Sequence, residues 1–423
     1  MKTRRPSLTV QETCRSCQSP DLQDLIAFGE TPIADRLVPI GFEDPQFVAP
    51  LTLTHCPSCA LCQIRETVDP KVLFPPDYPY YSSVSPALVA HFRESAEDLI
   101  ASGLARPGAR IVEAASNDGY LLSVFKERGF EVLGIDPADG PASVAREKGI
   151  ETIGDFFGLK IAKTLADEGR WADVFLANNV LAHVADTNDF VAGIGEILAP
   201  DGVAVIECPY LLDAVENCAF DTIYHQHLLF LSLTALVPLF SRHGLFLNDV
   251  IRVRAHGGSL RLFISKNPGQ SDRLVRQLGV EAGLGVHDPA FYDRFLSRIK
   301  GLKTELTQLI SSLKREGKRV VGYGAAAKAT TLMYHFGLHG GDLEFIVDKS
   351  PWKHGMEMPG TACPIVPPEM LLRAMPDVVV VLAWNFAKEI IGENRAYLER
   401  GGRFVVPIPE LRQVAGDYEG VSL

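Results

Sequence analysis

Two closely spaced cysteine pairs most constrain the fold of the N-terminal region of this 423-residue chain. Cys14 and Cys17 form one C-x2-C pair, and Cys56 and Cys59 form another. Two such pairs supply the four thiolates of a tetrahedral zinc site, and four protein ligands leave no open position for chemistry. The spacing therefore predicts a structural zinc ion in a module over residues 1–75.

The sequence does not decide which residue is the fourth zinc ligand of this site. Cys62 follows Cys59 at the same spacing and is an alternative thiolate, and His55 is a weaker alternative. Five of the 8 cysteines lie within the first 62 residues. Such a local cluster favours metal binding in a reducing cytoplasm over a disulfide scaffold.

Length and net charge limit the classes to which this protein can belong. A hydrophobic share of 47% over 423 residues predicts two or three domains. No apolar run reaches the length of a membrane span, and the basic start leads into Pro6 rather than a signal-peptide core. The net charge of -11 argues against general nucleic-acid binding. We expect a cytoplasmic monomer or weak homo-oligomer without nucleic-acid or membrane partners.

Strand and helix patterns alternate from residue 76 onward. Apolar strands are predicted over residues 109–113, 131–135, 174–177 and 203–206, with helices between them. This alternation is typical of a parallel sheet. It predicts a Rossmann-like α/β domain over residues 76–245.

The carboxyl edge of this predicted sheet carries a candidate cofactor site. A turn-rich loop follows the first strand, and an acid that can accept ribose hydroxyls ends the second. A nicotinamide cofactor would use the same layout. The candidate cofactor residues are Glu113, Ser116, Asn117, Asp118, Gly119, Tyr120, Asp136, Pro137, Asn178 and Asn179.

A dense polar run follows the predicted sheet. Tyr224, His225, Gln226 and His227 are consecutive, and His183 lies at the predicted carboxyl edge. A strand would point alternate side chains in opposite directions, whereas a loop could bring them together, and the spacing does not choose. Neutral imidazole, with a pKa near ~6.5, can remove a proton that a neighbouring carbonyl has made acidic. The run therefore favours a general base.

A second Rossmann-like α/β domain is predicted over residues 246–423. The loop 322–328 follows a strand, and a second strand ends at Asp348, which is a near match to a dinucleotide-binding fingerprint. Lys328 near a helix start could help to neutralise a diphosphate. Trp384 and Asn385 follow another apolar strand, at an edge where ligands bind.

The ordered motifs resemble those of the sugar C-methyltransferases of deoxysugar biosynthesis, which act on dTDP-linked 4-keto sugars. The resemblance covers nearly the whole chain. It implies S-adenosylmethionine (SAM) as cofactor, a zinc-binding N-terminal module and a sugar nucleotide as substrate. The markers are the two cysteine pairs and residues 78–83, 116–119, 134–137, 220–227, 256–261, 322–325, 328, 353–355, 359–361 and 384–386.

The resemblance also implies roles for single residues. His227 would remove the proton next to the sugar ketone, and methyl transfer to carbon would follow. The residues that would hold substrate and enolate, with His225 as a further catalytic candidate, are Tyr78, His183, Tyr224 and Gln226. The implied substrate contacts in the C-terminal half are His256, Ser259, Arg261, Lys328, Lys353, Trp384 and Asn385.

Two positions depart from the family's pattern. Gln226 stands where related sugar enzymes carry Glu, so this side chain can hydrogen-bond but holds no charge. Ala115 replaces the usual glycine of the cofactor loop, and its methyl is small enough to leave the cofactor room.

The sequence also permits three other functions. Methyl transfer could go to oxygen or nitrogen, which needs no acidic carbon. The loop 322–328 could instead serve a nicotinamide-dependent oxidoreductase. A zinc-bearing protein that binds a sugar nucleotide without catalysis would also fit, because Gln226 lacks a charge.

Overall fold

The computed structural model describes residues 8–73 and 81–416, and of His256 the backbone alone. The N-terminal module contains two small antiparallel sheets and cysteine-bearing turns. Its elements are β1 (Leu8–Val10), β2 (Gln23–Pro32), β3 (Val38–Pro39), β4 (Val48–His55), β5 (Cys62–Ile64), β6 (Glu66–Val68) and α1 (Pro70–Leu73). β4 pairs with β2 on one side and β5 on the other, and buries Leu51 and Leu53 at the period of two expected for a strand.

The central domain is an α/β layer structure, as the alternating pattern predicts. Its helices are α2 (Pro86–Ala101), α3 (Tyr120–Glu127), α4 (Asp139–Glu147), α5 (Leu159–Asp167), α6 (Thr187–Ile197), α7 (Leu211–Glu216) and α8 (Leu233–Ser241). Its strands are β7 (Arg110–Ala114), β8 (Glu131–Ile135), β9 (Glu151–Ile153), β10 (Ala172–Asn178), β11 (Leu198–Pro209), β12 (Leu229–Phe230), β13 (Phe246–Val253) and β14 (Ser259–Ser265). Seven strands form one sheet in the order β13-β14-β11-β10-β7-β8-β9, in which β14 alone runs against its neighbours.

The central sheet extends past the domain boundary predicted at residue 246. β13 and β14 lie beyond that residue, yet β14 pairs with β11 through seven residue pairs from Val203 to Pro209. Leu260, Leu262 and Ile264 of β14 are each 0% exposed and complete the core of the sheet. Residues on both sides of position 246 therefore contribute to the central sheet, and the predicted domain bounds stay a prediction.

The C-terminal domain contains a second, mainly parallel sheet. Its helices are α9 (Asp272–Leu284), α10 (Asp293–Arg315), α11 (Ala327–Phe336), α12 (Glu369–Ala374), α13 (Ala387–Glu393) and α14 (Arg395–Glu399). Its strands are β15 (Val320–Tyr323), β16 (Ile346–Val347), β17 (Met356–Met358), β18 (Cys363–Val366), β19 (Val378–Val381), β20 (Arg403–Val406) and β21 (Arg412–Ala415). Every residue of β15 and β19 is buried, as expected for parallel strands covered on both faces.

Strand pairing between the three parts of the chain holds them together. β3 of the N-terminal module pairs with β17 at one edge of the C-terminal sheet, and β12 of the central domain pairs with β5 of the module. These pairings bring residues 220–230 to the junction of all three parts. Within residues 8–73 and 81–416, no helix combines the length and apolar character needed to cross a membrane.

Candidate active site

The four predicted cysteine ligands converge in the N-terminal module. Their Sγ atoms lie within 4.8 Å of one another, with 3.6 Å between Cys14 and Cys59 and 3.5 Å between Cys17 and Cys56. Tetrahedral zinc with Zn–S bonds of ~2.3 Å places its sulfurs about 3.8 Å apart, so the set fits zinc. A hydrogen bond from the Cys59 thiol lowers the pKa of Cys14 to about 5, which favours the thiolate that a metal binds.

Cys62 and His55 lie outside this cluster. The Cys62 thiol instead donates to the Tyr292 hydroxyl at 3.1 Å, and burial raises the pKa of Cys62 to about 12. The His55 ring packs against Tyr292, with 5.3 Å between ring centroids. The geometry therefore selects Cys59 over Cys62 as the fourth ligand.

The predicted cofactor loop is tied to the acid that ends β8. Asp136 Oδ2 accepts the backbone N–H of Asn117, and Asp136 Oδ1 accepts that of Ala138, each at 2.8 Å. Glu113 in β7 is 1% exposed, and burial raises its pKa well above the usual value. Two carboxylates thus lie at the carboxyl edge of neighbouring strands, where ligands of such sheets bind.

Three buried acceptor atoms at this edge have no hydrogen-bond partner among the described residues: Glu113 Oε2, Asp118 Oδ1 and Asn179 Oδ1. Buried acceptors require donors. The nearby ammonium of Lys148 lies 3.6 Å from the other carboxylate oxygen of Asp118. An edge with this excess of acceptors and negative charge fits SAM, which carries an ammonium and a sulfonium.

The backbone of the cofactor loop follows a tight path. Ala115, Asn117 and Asn179 have φ of 54°, 51° and 55°, and Gly119 has φ of 71°. A Cβ on Gly119 would lie 2.6 Å from Ile150 Cδ1 and 3.2 Å from Ala145 Cβ, so this position favours glycine. The remaining predicted cofactor residues lie beside this loop or at the neighbouring strand ends, and are Ser116, Tyr120, Pro137 and Asn178.

His227 is held in the tautomer that a base needs. Its Nδ1–H donates to the carbonyl of Thr222 at 2.7 Å, which leaves the lone pair on Nε2. The Tyr224 hydroxyl donates to this Nε2 at 3.0 Å. The nitrogen that can take a proton therefore lies beside a phenol that can donate one.

His183 lies next to His227, with 4.9 Å between ring centroids. Its Nδ1–H donates to the carbonyl of Gln226 at 2.6 Å, and burial lowers the pKa of His183. A neutral ring held this way presents Nε2 as an acceptor. The role in holding substrate and enolate that the resemblance implies for His183 stays a prediction.

His225 and Gln226 face the N-terminal module instead. His225 is 0% exposed, its Nε2–H donates to the Pro50 carbonyl at 3.1 Å, and burial lowers its pKa. Gln226 is 4% exposed, and its amide N–H donates to the Ala34 carbonyl at 2.9 Å. The polar run is thus a loop with split orientations, and the structure separates His225 from the His183–His227 pair. Tyr78 lies outside the described residues.

Three predicted substrate contacts form a network of their own. Lys328 Nζ donates to Asn385 Oδ1 at 2.9 Å and lies 4.7 Å from the centroid of the Trp384 ring. Trp384 Nε1–H donates to Asp221 Oδ2 at 2.7 Å. Asp221 is 0% exposed, and burial raises its pKa to about 6. Asp221 lies in the run 220–227, whose residue pattern alone did not indicate a role for it.

Lys353 lies at the C-terminal loop that resembles a nucleotide-binding turn. Its Nζ donates to the Ala325 carbonyl at 2.7 Å and lies 3.8 Å from Asp348 Oδ2. Its side chain remains 28% exposed. Lys353 is therefore the cation best placed to meet a ligand at this edge.

The predicted contacts on β14 are held by the central sheet. Arg261, with a side chain 8% exposed, donates to Glu207 Oε2 at 3.2 Å, and His91 Nε2–H donates to Glu207 Oε1 at 2.7 Å. Ser259 is 0% exposed and donates to the Ala255 carbonyl. These partners occupy Arg261 and Ser259, and no motif in the sequence pointed to Glu207 or His91. His256 is described by its backbone only.

Three family models match consecutive parts of the chain. A zinc binding domain matches residues 14–74, a methyltransferase domain matches residues 89–248, and a C-methyltransferase C-terminal domain matches residues 254–409. The chain is thus matched, in order, along most of its length.

Individual proteins are similar to this chain over different shares of its length. The C-methyltransferase NovU of Streptomyces niveus is 34% identical over 414 residues, which cover 96% of this chain and 97% of NovU. A ubiquinone biosynthesis O-methyltransferase of Azorhizobium caulinodans is 33% identical over 131 residues, 29% of this chain and 47% of that protein. The solved PH0226 protein of Pyrococcus horikoshii is 16% identical, with a TM-score of 0.36 over 45% of this chain and 96% of that chain.

The likeness to NovU, unlike the other two, spans both chains almost completely. It agrees with the four-cysteine cluster and with the acidic cofactor edge of the central sheet. This chain therefore belongs to the family of SAM-dependent C-methyltransferases with a zinc-binding N-terminal domain.

Proposed function

We propose that the enzyme methylates the carbon next to the ketone of a dTDP-linked keto-deoxysugar, with His227 as the base. The observation that carries this proposal is the fixed tautomer of His227, whose Nδ1–H is held by Thr222 and whose Nε2 accepts from Tyr224. A carbon acid adjacent to a carbonyl is a group that a neutral imidazole can deprotonate.

In the proposed reaction, each proton and each electron pair moves between identified groups. His227 Nε2 takes the proton from the carbon next to the ketone, and the C–H electron pair becomes an enolate with charge on oxygen. The Tyr224 hydroxyl, released from Nε2, donates to that oxygen. SAM, when bound, supplies a methyl group to the enolate carbon and keeps the S–CH3 electron pair on sulfur. His227 then returns its proton to water.

The charge at the C-terminal edge supports a diphosphate ligand there. Lys353 keeps part of its side chain exposed beside the backbone of the 322–328 loop. Lys328 is less available, because Asn385 and Trp384 hold its ammonium. We therefore assign the sugar nucleotide to this edge, with Lys353 as the main cationic contact.

A product analysis tests this proposal. Purified enzyme is incubated with SAM carrying a 13C-methyl group and with dTDP-4-keto-6-deoxyglucose, and the product is examined by NMR and mass spectrometry. We expect the labelled methyl on a ring carbon next to the ketone. A label on oxygen or nitrogen, or no transfer from SAM to a range of dTDP-keto sugars, would contradict the proposal.

Two variants distinguish the loss of the catalytic base from a general effect of substitution on the protein. His227→Asn keeps an N–H that can donate to Thr222 but removes the base, so we expect at least a ~100-fold lower rate. His287→Ala changes an exposed histidine and should keep the wild-type rate. SAM binding, measured by calorimetry, should be unchanged in both.

A further inference from the structure

Arg15 lies in the turn between Cys14 and Cys17, and it is buried although arginine is usually an exposed residue. It is 4% exposed. The acceptors of its guanidinium N–H groups are the carbonyls of Ala185, Ile64 and Glu66, each at 3.2 Å, and Thr67 Oγ1 at 2.7 Å. A planar guanidinium holds several acceptors in a fixed arrangement. Arg15 therefore joins segments that lie far apart along the chain.

Two of these acceptors belong to the segments that carry the active-site histidines. Ala185 lies two residues after His183. Ile64 ends β5, and its N–H donates at 3.0 Å to the carbonyl of Leu228, the residue after His227. The Leu228 N–H in turn donates at 2.8 Å to the carbonyl of the residue before His183. These contacts form a closed ring around the two histidines, and the guanidinium supplies the two hydrogen bonds that complete it.

The turn that carries Arg15 is also held by the central domain. The Asn188 side-chain N–H groups donate to the carbonyls of Arg15 at 2.7 Å and Ser16 at 3.1 Å. Arg242 donates to Ser16 Oγ. Zinc bound by the four cysteines would fix both ends of this turn, because one cysteine pair flanks it. The ends of the turn and its middle are thus held by different partners, and the direction of the guanidinium follows from both.

We propose that Arg15 is a positioning residue for the methyl-transfer reaction, which sets the separation of His183 and His227 by bridging the two segments that hold them. This inference rests on the proposed function, in which His227 is the base. Misplacing a reacting group by ~1 Å can lower a rate by about 100-fold, even when the changed residue is distant. Loss of Arg15 should slow proton removal and leave SAM binding unchanged, because its partners lie outside the cofactor edge.

Arg15→Met tests this role in the zinc-bound enzyme, because methionine is long and apolar and donates no hydrogen bond. Arg65→Met is the matched control. The Arg65 side chain donates to Asp24, Gln11 and Leu22, all within the N-terminal module. Zinc content is measured by elemental mass spectrometry, and the affinities for SAM and dTDP-glucose by calorimetry. Proton removal is followed as deuterium uptake by the keto sugar in heavy water, with S-adenosylhomocysteine bound.

Arg15→Met should separate proton removal from binding. We expect unchanged zinc content and unchanged affinities, with deuterium uptake at least about tenfold slower than in wild type. Arg65→Met should match wild type in every measurement. Wild-type uptake by Arg15→Met would overturn the inference. A loss of SAM affinity in parallel with uptake would also overturn it, since that result would show a general effect on the fold.

Backbone amide exchange gives a readout that does not depend on turnover. In Arg15→Met, peptides that cover residues 181–188 and 224–230 should exchange faster than in wild type, and peptides that cover residues 110–135 should not. Equal protection of all these peptides in both proteins would contradict the inference. If wild type shows no deuterium uptake by the substrate, the proposed function fails, and the amide comparison still decides whether Arg15 holds the two segments together.

Arg15→Lys keeps the proposal testable if methionine prevents folding at this buried position. Lysine retains the charge but has one nitrogen, whereas Arg15 contacts Ala185 and Ile64 through two different nitrogens. The variant should bind zinc and SAM as wild type does and take up deuterium at least about threefold more slowly, the effect of one lost hydrogen bond. Uptake at the wild-type rate would show that the bridge is not needed and would overturn the inference.

Discussion

The two Rossmann-like halves of this enzyme use the same local device with opposite charge around it. Asp136 ends the second strand of the central domain, and Asp348 ends the corresponding strand of the C-terminal domain. Each carboxylate accepts two backbone N–H groups at 2.8 Å, one from the preceding loop and one two residues ahead. The backbone scaffold at the ligand edge is therefore the same in both halves.

The charges beside the two scaffolds differ. Glu113 and Asp118 add buried acceptors at the central edge, whereas Lys353 adds an ammonium at the C-terminal edge. The scaffold fixes where a ligand lies, and the added charge selects its sign. A cationic cofactor suits the first half, and an anionic diphosphate suits the second.

Removing the two aspartates gives the largest expected contrast. Asp136→Ala should weaken SAM binding by about 100-fold, because two backbone N–H groups lose a charged acceptor. Asp348→Ala should leave SAM binding unchanged and weaken dTDP-glucose to a similar extent. Calorimetry with both ligands measures the pair, and a loss of both ligands in either variant would break the comparison.

Neutralising the C-terminal cation gives a smaller effect. Lys353→Met should weaken dTDP-glucose roughly tenfold by removing one charged hydrogen-bond donor, with SAM unaffected. Lys148→Met is the matched change at the central edge, where Lys148 donates to the Asp118 carbonyl. It should leave dTDP-glucose binding unchanged, and equal losses from both variants would argue against a charge difference between the halves.

The acidic edge also predicts a pH dependence for one ligand only. Burial raises the pKa of Glu113 and of Asp136, so both protonate at a higher pH than ordinary carboxyls as the solution is acidified. Cationic SAM favours their ionised forms, and its affinity should therefore fall as pH falls through these raised values. Titration of SAM affinity in wild type and Glu113→Gln measures this; a wild-type profile that matches the variant's would contradict it.

Backbone strain gives the smallest expected effect. Ala115 adopts φ of 54° in the cofactor loop, where glycine is favoured. Ala115→Gly should relieve about 1 kcal/mol of strain, partly offset by the greater freedom of glycine in the unfolded chain. Urea unfolding measures the difference, with an expected gain of less than about 1 kcal/mol. A clear loss of stability would show that the methyl group packs favourably.

Local patterns predicted much of the fold. The cysteine pairs and the β/α alternation depend on neighbouring residues, and the structure shows the four-thiol cluster and both sheets. The extension of the central sheet past residue 246 was not predicted, because the pairing of β14 with β11 is a contact between distant residues. The insertion of β3 into the C-terminal sheet is non-local in the same way.

The sequence predicted which residues form the candidate site but not the directions in which their side chains point. The spacing in the polar run could not decide which histidine faces His183, because that depends on the loop after Phe220–Thr222. Glu207 gave no signal in the sequence, since the Arg261 side chain that it binds lies far along the chain.

Deuterium exchange tests the central claim most directly. Enzyme loaded with S-adenosylhomocysteine, which cannot transfer a methyl group, is incubated with dTDP-4-keto-6-deoxyglucose in heavy water, and deuterium uptake is followed by mass spectrometry. Wild type should exchange the hydrogen next to the ketone, His287→Ala should match it, and His227→Asn should not exceed the rate without enzyme. Exchange by His227→Asn at the wild-type rate would contradict the assignment of His227 as the base.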